Sequence, residues 1–200
     1  MSRGSTTTAR QVRGLTLLEL LFAMALGITL VAIAVPMTAA ALEGLRAAGA
    51  ARYVAGRIMR IRMDAVRAST AIALRFQPVG ADYAFAPFAD GNGNGVRTAD
   101  ILAGIDTQVG PYEQLYEKFP GVTFLLRDGV PDADGAPSSS TDGVRVGAAR
   151  ILTMSPDGTA TSGSLYLAGR GGQYAVRVLG ATGRIRVLFF NPGDNRWHNH

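Results

Sequence analysis

Gly14-Leu15-Thr16-Leu17-Leu18-Glu19 stands at the head of the stretch that decides how this chain folds. After Arg13 the only charge before Glu43 is Glu19, and from Leu20 to Leu42 every residue is apolar, small or hydroxylic. As a helix that run spans about 34 Å, enough for a bilayer hydrocarbon core of about 30 Å. A lone carboxylate near the start of such a helix costs about 2.5–3.5 kcal/mol on insertion scales, so it needs a partner or a purpose. The arm ahead of Gly14 holds Arg3, Arg10 and Arg13 and no acid. By the positive-inside asymmetry this predicts a cytoplasmic amino end and an exported body. A cut after Gly14 leaves Leu15 with a free amine four residues before Glu19.

Those residues resemble the class III signal of type IV pilins and type II secretion pseudopilins. The resemblance implies that a prepilin peptidase cuts after Gly14 and that Leu15, where phenylalanine is commoner in the family, becomes the N-methylated first residue. It implies that Glu19 pairs with the terminal amine of a neighbouring subunit during assembly. Pro36 matches the proline that often kinks these helices midway through the membrane stretch. Two plainer readings stand beside this one. Ala39-Ala40-Ala41 suits a general signal peptidase, although the run exceeds an ordinary h-region of about 7–15 residues. A simple signal anchor, with Glu19 incidental, is the other.

The chain has 200 residues and a net charge of +5, which falls to +2 once the three leader arginines are removed. Basicity rests on arginine, with Lys118 the single lysine, a usage that fits a GC-rich genome as well as phosphate binding. There is no cysteine, so the core stands without disulfides.

From Glu43 to about Thr70 the spacing predicts an amphipathic helix, with Val54, Ile58, Ile61, Ala65, Ala68 and Ile72 on one stripe. Arg57, Arg60, Asp64 and Arg67 lie off it. Beyond residue 70 the period falls to two. Strands are expected at 71–76 and 81–88, with Pro78-Val79-Gly80 between them, and at 122–127, 144–154, 163–168, 173–179 and 184–190. A Pro/Asp/Ser/Gly-rich surface loop is expected at 128–143. The fold class is α+β: a long amino-terminal transmembrane and amphipathic helix packed on a mostly antiparallel sheet, pilin-like in arrangement. The expected domains are a leader at 1–14, a transmembrane and assembly helix at 15–42, its amphipathic continuation at 43–70 and a β-rich globular domain at 71–200.

Three groups of residues invite chemistry. Arg184 and Arg186, two apart on a strand, share a face about 6–7 Å apart, and Arg177 on the preceding strand can join them. Guanidinium forks at that spacing suit successive phosphates, although exposed strand faces carry arginines routinely and no aromatic ladder interleaves these. Asp90, Asn92 and Asn94 copy the opening of a calcium loop, but Ile101 stands where the twelfth-position acid belongs, so a Gly/Asn turn competes with a calcium site. His198 and His200, the two histidines, sit near the carboxyl end and are expected to be disordered. No catalytic constellation is visible, so no enzyme activity and no cofactor is expected.

The order Asp90–Gly95, Ser155–Gly158, Gly163–Leu167 and Gly183-Arg184-Ile185-Arg186-Val187 is similar to the GspH/FimT family of minor pseudopilins and minor pilins. That resemblance implies a structural subunit of a type II secretion pseudopilus, in the bacterial inner membrane with a periplasmic domain. Its partners would be other pseudopilins or pilins and the prepilin peptidase. The alternative is a minor pilin that binds double-stranded DNA through a GRxR hairpin, carried here by Arg177, Arg184 and Arg186. A membrane-anchored periplasmic enzyme is the third reading.

Overall fold

A computed structural model describes residues 16–200, in two units, Met1–Ala39 and Ala40–His200, each taken here by itself. Helix α1 runs Leu17–Ala68. In the first unit, Leu17–Ala34 is long and apolar enough to cross a membrane, and none of it is buried. The Thr29 hydroxyl donates to the Ala25 carbonyl at 2.8 Å, which satisfies a polar group inside the apolar stretch. Gly14, Leu15 and the Pro36 side chain lie outside the described residues.

In the second unit the expected stripe is buried at Val54, Ile58, Ile61 and Ala65, and it starts earlier, at Ala47, Ala50 and Ala51. Ala68 departs from the expectation and is exposed, because the helix ends there: Ser69 turns left-handed (φ 52°) and carries the chain away. The small alanines let β-structure approach α1 closely, while Ile58 and Ile61 each contribute about 1.5–3 kcal/mol on burial.

The strands follow as β1 (Ile72–Val79) and β2 (Asp82–Ala89), then helix α2 (Thr98–Leu102), β3 (Thr107–Gln108), β4 (Glu113–Gln114) and helix α3 (Leu115–Lys118). Next come β5 (Thr123–Phe124), β6 (Val144–Arg145), β7 (Ile151–Met154), β8 (Gly163–Gly169), β9 (Gly172–Leu179), β10 (Arg184–Asn191) and β11 (Arg196–Asn199). They form two sheets where one was expected. The first has the order β3-β2-β1-β7 with β4 also on β2, and the second β11-β10-β9-β8-β5 with β6 also on β8. Every pairing is antiparallel.

The stretch 144–154, expected as one strand, is two. Val144–Arg145 pairs with β8 in the second sheet, and Ile151–Met154 pairs with β1 in the first. Positive φ at Gly147 (75°) and Arg150 (51°) turns the chain between them. Pro78 and Val79 stay in β1, and Gly80 (φ 61°) makes the turn into β2. The expected strand at 122–127 contracts to Thr123–Phe124.

The carboxyl end is not a free tail. β11 pairs with β10, the Trp197 indole N–H donates to the Pro131 carbonyl at 2.9 Å, and its ring lies 5.8 Å from that of Tyr166. The main core fills the space between α1 and both sheets. Phe124 of the second sheet meets Phe76 and Phe85 of the first edge-on, with ring centroids 5.6 and 6.0 Å apart. A smaller core of Leu126, Val130, Tyr166, Ala175 and Leu188 lies on the other face of the second sheet.

Residues 107–119, for which periodicity predicted nothing, are tied to α1 by Glu113. Its carboxylate accepts from the Tyr53 hydroxyl, from Lys118 at 2.6 Å and from Arg57 at 2.7 Å. Burial pushes the Glu113 carboxyl up, but Lys118, Tyr53 and Arg57 outweigh it and hold it below the usual glutamate range. A depressed folded value contributes stability that is full above the ordinary glutamate pKa of about 4.3 and is lost as pH falls through the lower folded value. Glu113→Gln is therefore expected to destabilise by about 3 kcal/mol at pH 7, mainly by leaving Arg57 charged and unmatched. Urea unfolding between pH 3 and 7 checks this: the gap between the two proteins closes toward the acid end, and equal midpoints at pH 7 would remove Glu113 from the account.

Candidate functional site

The head of α1 is built by its own sequence. Thr16 precedes the first helical residue, and its hydroxyl oxygen accepts the backbone N–H of Glu19 at 3.3 Å. Thr16-Leu17-Leu18-Glu19 is thus the first half of a capping box, a T-x-x-E signal present in the sequence that the reading of Glu19 as an assembly carboxylate passed over. Glu19 sits exposed in the first turn, where the helix dipole favours negative charge. Cap and dipole offset part of the cost of a carboxylate in this stretch.

The three arginines singled out earlier are brought together on the second sheet. Arg186 is directly opposite Arg177 across β9–β10, and Arg184 follows two residues away on the same face, opposite Leu179. The alternate residues Val176, Val178, Ile185 and Val187 face the main core. Among the described residues the guanidinium groups of Arg177, Arg184 and Arg186 make no hydrogen bond and no ion pair. Like charges directly opposite in an antiparallel pair destabilise it, so this arrangement carries a cost that a bound anion would relieve. Arg177 and Arg186 line a hollow of about 240 Å³ with Leu188, Trp197 and Asn199.

The turn that presents Arg184 is held from α1. Arg62 donates to the Gly183 carbonyl at 3.2 Å and to the Thr182 carbonyl at 3.1 Å. Gly183 is left-handed (φ 58°), and a Cβ there would stand 2.2 Å from the Gly158 carbonyl oxygen. The glycine that opens Gly183-Arg184-Ile185-Arg186 is thus required by packing. Arg62 carried no signal in the sequence, because its contact crosses more than a hundred residues of chain.

The Asp90 loop closes on itself. Asp90 Oδ1 accepts from Asn92 and Gly93 at 3.1 and 2.8 Å, and Oδ2 from Gly95 at 2.7 Å. Burial raises the Asp90 carboxyl, but those amides outweigh it and hold it below the usual carboxylate range. Asn92 Oδ1 accepts from the Asn94 amide at 3.2 Å. Asp106, unmarked in the sequence reading, accepts from Gly91 at 3.1 Å and Arg97 at 2.8 Å.

The two histidines take different polar partners: His198 meets Asp194 at 2.7 Å, and His200 meets Arg52 at 2.7 Å. Among the described residues no group of three or more histidine, cysteine or acidic side chains is placed to hold a metal ion. Comparison with protein-family models, with curated proteins and with solved structures returns no match.

Proposed function

We propose that this chain is a structural subunit that assembles through its amino-terminal helix, a minor pseudopilin of the GspH/FimT kind serving a type II secretion pseudopilus. It is made with residues 1–14 as a leader, anchored in the inner membrane with its amino end cytoplasmic, cut after Gly14 and methylated at Leu15. The observation that supports this best is the fully exposed apolar stretch Leu17–Ala34 with Glu19 as its single charge. Apolar surface of that extent needs lipid or other helices around it. In the assembled filament Glu19 neutralises the terminal amine of a neighbouring subunit, and the β-rich unit makes the specific contacts.

A second reading, a minor pilin that takes up double-stranded DNA, is favoured by the unpaired Arg177, Arg184 and Arg186 on one face of the second sheet.

Glu19 offers a test that separates its two roles. Glutamine at the third helical position still serves a capping box, whereas alanine does not. If the carboxylate charge drives assembly, both Glu19→Gln and Glu19→Ala insert in the membrane but fail to cross-link into filaments. Filaments from Glu19→Gln would reduce Glu19 to a cap. Gly14→Ala is expected to accumulate as uncut precursor on a gel of membrane fractions; a mature-sized product would show another peptidase at work. For the second reading, the full chain in detergent should bind duplex DNA with a log–log salt slope of about −2 to −4, reduced by about two in Arg184→Ala/Arg186→Ala. A slope indifferent to both substitutions removes the DNA reading.

A further inference from the structure

The turn between β8 and β9 lies directly on α1. A Cβ on Gly171 would stand 2.2 Å from the Gly44 nitrogen, and one on Gly169 would stand 3.2 Å from the Ala47 Cβ. Arg127 braces the turn by donating to the Gly169 carbonyl. Arg170, at its tip, reaches Glu43 at 3.4 Å yet keeps 84% of its side chain exposed. It stands between two openings. One, of about 230 Å³, is bounded by Glu43, Arg46, Pro120 and Val122. The other, of about 620 Å³, is bounded by Arg127, Gln173, Tyr174 and Phe189.

This cationic rim follows the apolar run directly in the sequence. Leu42 closes the apolar run, and Arg46 follows four residues later, about 6 Å further along the axis. Leu42 and Leu45 are 53% and 67% exposed beside Glu43 and Arg46. Exposed leucines next to arginine, with Tyr174 and Phe189 nearby, make the mixture of apolar, aromatic and cationic groups that suits a bilayer's headgroup layer. We propose that Arg46 and Arg170 hold the phosphate of an anionic phospholipid in the leaflet from which α1 emerges. The proposal rests on the reading of α1 as a membrane anchor. Glu43 acts as a counterweight, occupying Arg170 weakly and limiting the site's net charge.

The test uses the full chain in neutral detergent, with phosphatidylglycerol or phosphatidylcholine added and bound lipid counted by native mass spectrometry. Phosphatidylglycerol should be preferred, and Arg46→Gln and Arg170→Gln should each lower that preference about fivefold. Glu43→Gln should raise it. Arg184→Gln/Arg186→Gln, which removes two charges elsewhere where each rim variant removes one, should leave it unchanged. An equal loss in that control, or no loss in the rim variants, overturns the site in favour of general charge attraction. Inorganic phosphate at millimolar concentration should not displace the lipid; displacement would make this a free-phosphate site. Alkaline extraction of membranes keeps the two readings apart. A chain washed out by carbonate sinks the anchor and the lipid site together, while an integral chain without the preference sinks the lipid site alone.

Discussion

The globular unit depends on the close seating of one helix face in the space between two sheets. Ala47, Ala50 and Ala51 place almost no side chain between α1 and the β-structure, while Val54, Ile58 and Ile61 fill the wider part of the gap. The gradation matters because interiors pack at crystal-like density, and a larger residue at an alanine position would push a sheet away. Leu165, Leu167, Val176 and Val178 of the second sheet and Leu74, Phe76 and Phe85 of the first converge on that face. Each sheet thus buries a face that would otherwise meet water.

Contacts between the sheets then set the outer details. Phe124 accepts two phenyl rings edge-on, its backbone N–H donates to Asp82 at 2.8 Å, and Asp142 accepts from both Tyr83 and Arg150. The far face of the second sheet carries its own small core under the 128–143 loop, with Trp197 as its lid. Arg177 and Arg186 stand at the margin of that core, next to Leu188 and Trp197. Their charge is therefore presented on rigid strands, with Arg62 fixing the adjoining turn from α1.

Much of this was legible where the cause is local. Steps of three and four marked the helix stripe, and a period of two marked β8, β9 and β10. The shared face of Arg184 and Arg186 follows from the same period of two. Other features were illegible because their causes lie far away in the chain. Nothing near Gly147 says that the strands on either side join different sheets. Trp197 reads as tail until Pro131 and Tyr166 are placed beside it, and residues 107–119 gain order through Glu113 meeting Tyr53 and Arg57. That Arg177 faces Arg186 depends on register, which the sequence leaves open. The capping role of Thr16 is local and legible, since Thr16-Leu17-Leu18-Glu19 makes Glu19 the fourth residue of a cap as well as a carboxylate at the head of the apolar run.

β11 covers only part of β10. It pairs with Leu188–Asn191, and the His200 amide reaches Val187, which leaves Arg184, Ile185 and Arg186 on an open border of the sheet. An uncovered border is a template on which a second copy can lay down a strand and begin unordered, strand-by-strand growth. Two arginines on the uncovered residues oppose that, since a copy arriving in antiparallel register would bring its own pair against them. Any ordered association through α1 is thereby kept from competing with sticking through the sheet, whether or not these side chains ever touch a ligand.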